Sequence, residues 1–75
     1  TSDPGISLMS ENLGVAYGLN NNYEKSNEVL MRALTALPQD VQIYSNIGIN
    51  YKNLGNAEKS KEYLYKASQL DLKFK

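Results

Sequence analysis

The chain has 75 residues, 41% of them hydrophobic, and its eight basic and eight acidic side chains cancel to zero net charge. It has no cysteine and no histidine, which excludes a disulfide framework, a thiolate nucleophile and the common zinc ligand sets; no cofactor is expected. No apolar run approaches the ~18 residues of a membrane span and Thr1 to Ser7 is not leader-like, so the sequence predicts a soluble chain with no membrane partner and no readable compartment.

In chain order, the first predicted element is a helix over residues 7–20, where Leu13, Ala16 and Tyr17 recur at helical spacing. Asn20, Asn21 and Asn22 interrupt it. A second helix follows over 23–36, with Val29, Leu30, Ala33, Leu34 and Leu37 on its apolar stripe. The third covers 41–54 through Ile43, Ile47, Tyr51 and Leu54, and Gly55-Asn56 separates it from a fourth over 57–70.

Laid over residues 41–74, residues 7–40 match without a gap. Asn12, Gly14, Tyr17, Asn22 and Glu24 return 34 residues later as Asn46, Gly48, Tyr51, Asn56 and Glu58. Lys25, Ser26, Glu28, Leu30 and Ala33 return as Lys59, Ser60, Glu62, Leu64 and Ala67. A fixed period of this length marks a repeat architecture. The expected fold is all-α: two helix-turn-helix units, 7–40 and 41–74, stacked as a short solenoid segment. Gly14 and Gly48 let the partner helix approach closely, with Ser26 and Ser60 as the small residues facing them. Ala33 and Ala67 do the same between hairpins, and Tyr17, Tyr51, Leu30 and Leu64 fill the remaining space.

These residues resemble the tetratricopeptide repeat. The family pattern reads Leu13, Gly14, Tyr17, Ser26, Leu30, Ala33, Pro38 in the first unit and Tyr44, Ile47, Gly48, Tyr51, Gly55, Ser60, Leu64, Ala67 in the second. Departures are Ser10 where an aromatic is usual, Leu72 where proline is usual, and serine for alanine at Ser26 and Ser60. The resemblance implies a right-handed superhelix whose first helices line a concave groove. The corresponding positions are Leu8, Glu11, Asn12, Val15 and Leu19, then Gln42, Ser45, Asn46, Ile49 and Asn53. Asn12 and Asn46 would clamp the backbone of an extended peptide through their amides, or simply solubilise the groove. Val15 and Ile49 would meet apolar side chains of a ligand or belong in part to the core. Glu11 stands where family members that hold a C-terminal carboxylate carry a lysine, which argues against such a ligand.

The phase also bears on the ends. Pro4 falls one period before Pro38, so residues 1–6 are expected to be the tail of an upstream repeat and the chain a segment of a longer array. Two repeats with open ends would expose Val29, Leu37, Tyr63, Leu70, Leu72 and Phe74, the candidates for self-association. Residues 1–40 carry five acids and two bases and residues 41–75 three acids and six bases, an asymmetry that suits head-to-tail association.

No catalytic constellation is present. Glu24 with Glu28 and Glu58 with Glu62 are carboxylates one turn apart, but they recur at equivalent repeat positions and read as solvated surface; Glu28 to Arg32 and Glu62 to Lys66 have helix-pair spacing. The expected function is a protein-interaction scaffold binding an extended peptide or partner helix. Alternatives are self-assembly through the repeat ends or substrate recruitment within a larger enzyme. Single-stranded RNA binding through Lys52, Lys59, Lys61, Lys66, Lys73 and Lys75 beside Tyr51, Tyr63 and Tyr65 ranks lowest, since only one arginine is present and Tyr51 belongs to the packing pattern.

Overall fold

A computed structural model of the protein describes residues 4–73, and the side chains of 9–72. It contains helices α1 (Pro4–Leu19), α2 (Tyr23–Leu34), α3 (Val41–Asn53) and α4 (Ala57–Lys73), with no strand among the described residues. Helices α1 and α2 form one hairpin and α3 and α4 a second, and α2 lies against α3 to join them. Phe74 and Thr1 to Asp3 lie outside the described residues. Pro4 is the first residue of α1, where a fixed φ suits the helix and the missing N–H would have had no helical partner.

The two hairpins turn in the same way because the sequence supplies a left-handed residue at the same repeat position. Asn21 (φ 63°) and Gly55 (φ 84°) lie one period apart. Asn22 N–H donates to the Tyr17 carbonyl at 2.8 Å and Asn21 N–H to that of Gly18 at 3.0 Å; Asn56 N–H and Gly55 N–H do the same to Tyr51 and Lys52 at 2.9 and 3.1 Å. This paired closure satisfies carbonyls that the helix end would otherwise orphan, and it requires φ above zero, hence asparagine or glycine. Asn56 then caps α4, its Oδ1 accepting from Lys59 N–H at 3.1 Å. Asp40 caps α3, its Oδ1 accepting from the N–H groups of Gln42 and Ile43 at 2.9 and 3.2 Å.

The core lies at the joint between the hairpins. Leu30 and Ala33 of α2 and Ile43 and Ile47 of α3 are no more than 1% exposed, with Met31, Leu34, Leu37, Tyr51 and Tyr63 packed around them. Within each hairpin a glycine seats a leucine. A Cβ on Gly14 would lie 2.6 Å from both Cγ and Cδ2 of Leu30, and a Cβ on Gly48 would lie 2.7 and 2.8 Å from the same atoms of Leu64. Ser26 adds a bond across the first contact: its Oγ donates to the Gly14 carbonyl at 2.6 Å. Tyr17 and Tyr51 are half-buried rather than enclosed.

The outer helices differ from the inner pair for a simple reason. Leu13 occupies the repeat position of Ile47 and Met9 that of Ile43, yet Met9 and Leu13 are 69% and 49% exposed while the isoleucines are at 0%. The isoleucines are covered by α2; among the described residues α1 has no such neighbour on that side.

Candidate functional site

A cleft of about 320 Å³ runs between the first helices of the two hairpins, lined by Val15, Gly18 and Leu19 of α1, Tyr23 and Ser26 of α2, and Asn46, Ile49, Asn50 and Asn53 of α3. All nine lining residues are uncharged. Val15, Leu19 and Ile49 give it aliphatic walls, with Leu19 82% and Ile49 48% exposed, while Asn46 and Asn53 supply amides.

Its floor is a buried polar network that ties three helices together. Asn50 Nδ2 donates to Ser26 Oγ at 2.7 Å and to Asn27 Oδ1 at 2.8 Å. Ser26 Oγ in turn donates to the Gly14 carbonyl. Ser26, Asn27 and Asn50 are all at least nine-tenths buried. Buried amides and hydroxyls are rarely left unbonded, and Ser26, Asn27 and Asn50 are tied to one another, so the network fixes how α1, α2 and α3 meet. Gly18 sits above it, where a Cβ would lie 3.3 Å from Asn50 Oδ1 and 3.4 Å from Ser26 Oγ.

Of the ten groove positions predicted from the repeat, Val15, Leu19, Asn46, Ile49 and Asn53 meet at this cleft. Asn12 does not join Asn46. It is exposed and lies with Met9, Ser10 and Leu13 along a separate open depression. Gln42 is exposed and Ser45 half-buried, neither lining the cleft, and the side chain of Leu8 lies outside those described. Glu11 is also elsewhere than expected: it is only 8% exposed and Oε1 has no partner. Burial, then a hydrogen bond with Asp40, then the negative charge of Asp40 push its carboxyl up from 4.5 to about 7. Glu11 of α1 thus lies against Asp40, the residue that caps α3, a tertiary approach that spacing along α1 does not reveal.

Gly18, Tyr23, Ser26 and Asn50 line the cleft without having been assigned to it. The available signal was departure from the period: Asn50 stands where the first unit has Ala16, Gly18 where the second has Lys52, and Tyr23 where the second has Ala57.

The residues expected at open ends divide. Val29 is buried, while Leu37 and Tyr63 are partly buried against the core. Leu70 is half-buried beside Tyr44 and Tyr65 in a cleft that also includes Pro38, and Leu72 is 65% exposed. The aromatics considered for a nucleic-acid strand are partly engaged: Tyr63 stacks on Tyr51 and Tyr44 at centroid distances of 5.7 and 6.2 Å, and burial pushes its phenol above the usual 10.0. Lys66 Nζ lies 5.9 and 5.8 Å from the ring centroids of Tyr44 and Tyr63.

Two like helical hairpins sharing an inter-hairpin core, with a cleft along their first helices, define a helical repeat scaffold of the solenoid type. The chain belongs to the tetratricopeptide repeat family, whose model matches residues 10–40 and 41–74. Such repeats generally act as protein–protein interaction modules. No curated protein matches the chain. Among the described residues, no helix is long and apolar enough to cross a membrane.

Proposed function

We propose that the protein binds a partner by accommodating an extended segment of it in the cleft between α1 and α3. The observation that carries this reading is the lining: aliphatic walls from Val15, Leu19 and Ile49 with the Asn46 and Asn53 amides among them. Apolar walls with a few placed polar groups suit a peptide that buries side chains and offers its main chain for hydrogen bonding. With no charged residue in the lining, a ligand anchored by a carboxylate or phosphate has no counter-charge there. Peptides selected from a random display library provide the test. Ile49→Arg should abolish their binding with helix content unchanged, and Asn46→Ala should weaken it several-fold. Asn12→Ala, outside the cleft, should leave it unchanged. Selected peptides that bind Ile49→Arg as well as the native chain would overturn the reading.

A second reading is favoured by one contrast. Met9 and Leu13 are largely exposed where their repeat equivalents Ile43 and Ile47 are fully covered by a second helix of the preceding unit. Packing of α4 from another copy against this edge would repeat the α2–α3 joint, aided by the opposite charge of the two halves. Ser68 and Asp71 stand where the first unit has Leu34 and Leu37, so such an association would be weak. Sedimentation at rising concentration tests it: dimers should form and be lost in Leu13→Glu, whereas a monomer at every concentration would refute it.

A further inference from the structure

The orientation of the Asn50 amide is dictated by its surroundings, and this assigns a role to its free end. The Gly14 carbonyl can only accept, so the bond between it and Ser26 Oγ, at 2.6 Å, must use the serine proton. Ser26 Oγ is thereby left as an acceptor, and the Asn50 atom 2.7 Å from it must be Nδ2 rather than Oδ1. The second Nδ2 proton goes to Asn27 Oδ1 at 2.8 Å, which leaves Asn27 Nδ2 buried with no partner. The network tolerates that orphan donor because no flip relieves it: turning Asn27 would set its NH2 against that of Asn50. With Nδ2 used twice, Asn50 Oδ1 points to Gly18 at the cleft floor, and it accepts no hydrogen bond from the described residues. Asn50 is 96% buried and its Nδ2 is committed to two donated bonds, so its Oδ1 is presented toward the cleft in a fixed orientation as an acceptor.

We infer that Asn50 Oδ1 accepts one main-chain N–H of the bound segment, at a residue whose aliphatic side chain lies against Val15 and Ile49. The occupant is thus an uncharged stretch of extended polypeptide, read at one register point by its backbone and beside it by an apolar side chain. This rests on the cleft being the binding site and adds the atom that sets register. Asn46 and Asn53 are exposed enough to adapt to many ligands, whereas Asn50 cannot turn without breaking its two donated bonds.

The test uses the full 75-residue chain and a library-selected peptide whose binding Ile49→Arg abolishes. Synthetic versions of that peptide, each N-methylated at one backbone amide, are titrated against the native chain and against Asn50→Ala, which installs the residue the first unit carries at Ala16. One methylation should weaken binding to the native chain about tenfold, as loss of a bond to a buried acceptor does. In Asn50→Ala the same methylation should change affinity by less than about twofold, with the effects at other amides retained. The comparison is a ratio within each variant, so a general loss of stability does not move it. Gly18→Ala gives a second route should Asn50→Ala fail to fold, since the added methyl would crowd Oδ1 and reduce the same ratio. Groove-bound peptides with no methylation effect that depends on Asn50 or Gly18 would overturn this inference and leave the cleft reading intact. If no selected peptide is sensitive to Ile49→Arg, both fall together.

Discussion

Gly14→Ala is the sharpest probe of the packing that positions the cleft. An exposed helical glycine gains about 1 kcal/mol on becoming alanine, through helix propensity. Here the new methyl would sit 2.6 Å from Leu30 Cγ, well inside contact distance, and Leu30 is at 0% exposure with no space to retreat into. Overpacking of this kind costs roughly 1–3 kcal/mol, and a clash with the branch point of an enclosed leucine belongs in the upper part of that range. The net expected loss is about 1–2 kcal/mol, which lowers the midpoint of thermal unfolding by roughly 4–8 °C per kcal/mol in a domain of this size. Circular dichroism with denaturant titration measures both. Leu30→Ala alone should cost about 2–5 kcal/mol, yet in that background Gly14→Ala should be neutral or stabilising because the methyl enters vacated space. Gly48→Ala should cost less than Gly14→Ala, since Leu64 is 38% exposed and can turn outward. A stability gain of about 1 kcal/mol for Gly14→Ala in the native background would show that α1 and α2 do not approach as described.

Three further outcomes are expected. Glu11 binds its proton more tightly folded, near 7, than at its ordinary 4.5, so its contribution to stability is greatest below pH 4.5 and is lost as pH rises through 7. Denaturation at pH 5 and pH 8 reads this directly; Glu11→Gln should flatten the dependence and Asp40→Asn should move it to lower pH, and a flat native profile would contradict it. Ile47→Ala should cost about 2–5 kcal/mol and its repeat equivalent Leu13→Ala less than about 1, with urea midpoints as the check; equal losses would mean the α1 edge is covered. Arg32→Ala should change stability by no more than about 0.5 kcal/mol, because the Glu28 pair at 3.1 Å is exposed and one turn apart.

What recurs every 34 residues was legible in the sequence. The turns at Asn20 to Asn22 and at Gly55-Asn56 could be seen because a left-handed closure needs asparagine or glycine, and helices begin just after them at Tyr23 and Ala57. The glycine seats for Leu30 and Leu64 follow from size alone. Hidden from that reading were residues that break the period. Asn50 replaces the small Ala16 of the first unit, and only the folded approach of Ser26 and Asn27 makes it the centre of a network. Glu11 reads as a solvated groove residue until Asp40, remote in sequence, closes over it. Periodicity therefore shows how a unit folds on itself, while contacts between units depend on side chains for which the repeat offers no second copy to compare.

The most direct measurement is an amide-by-amide NMR titration of the chain with a library-selected peptide. Binding in the cleft predicts the largest shifts at Val15, Gly18, Leu19, Tyr23, Ile49 and Asn53, with the Asn50 side-chain amide also moving. Shifts centred on Met9 and Leu13, or on Tyr44, Tyr65 and Leu70, would contradict it.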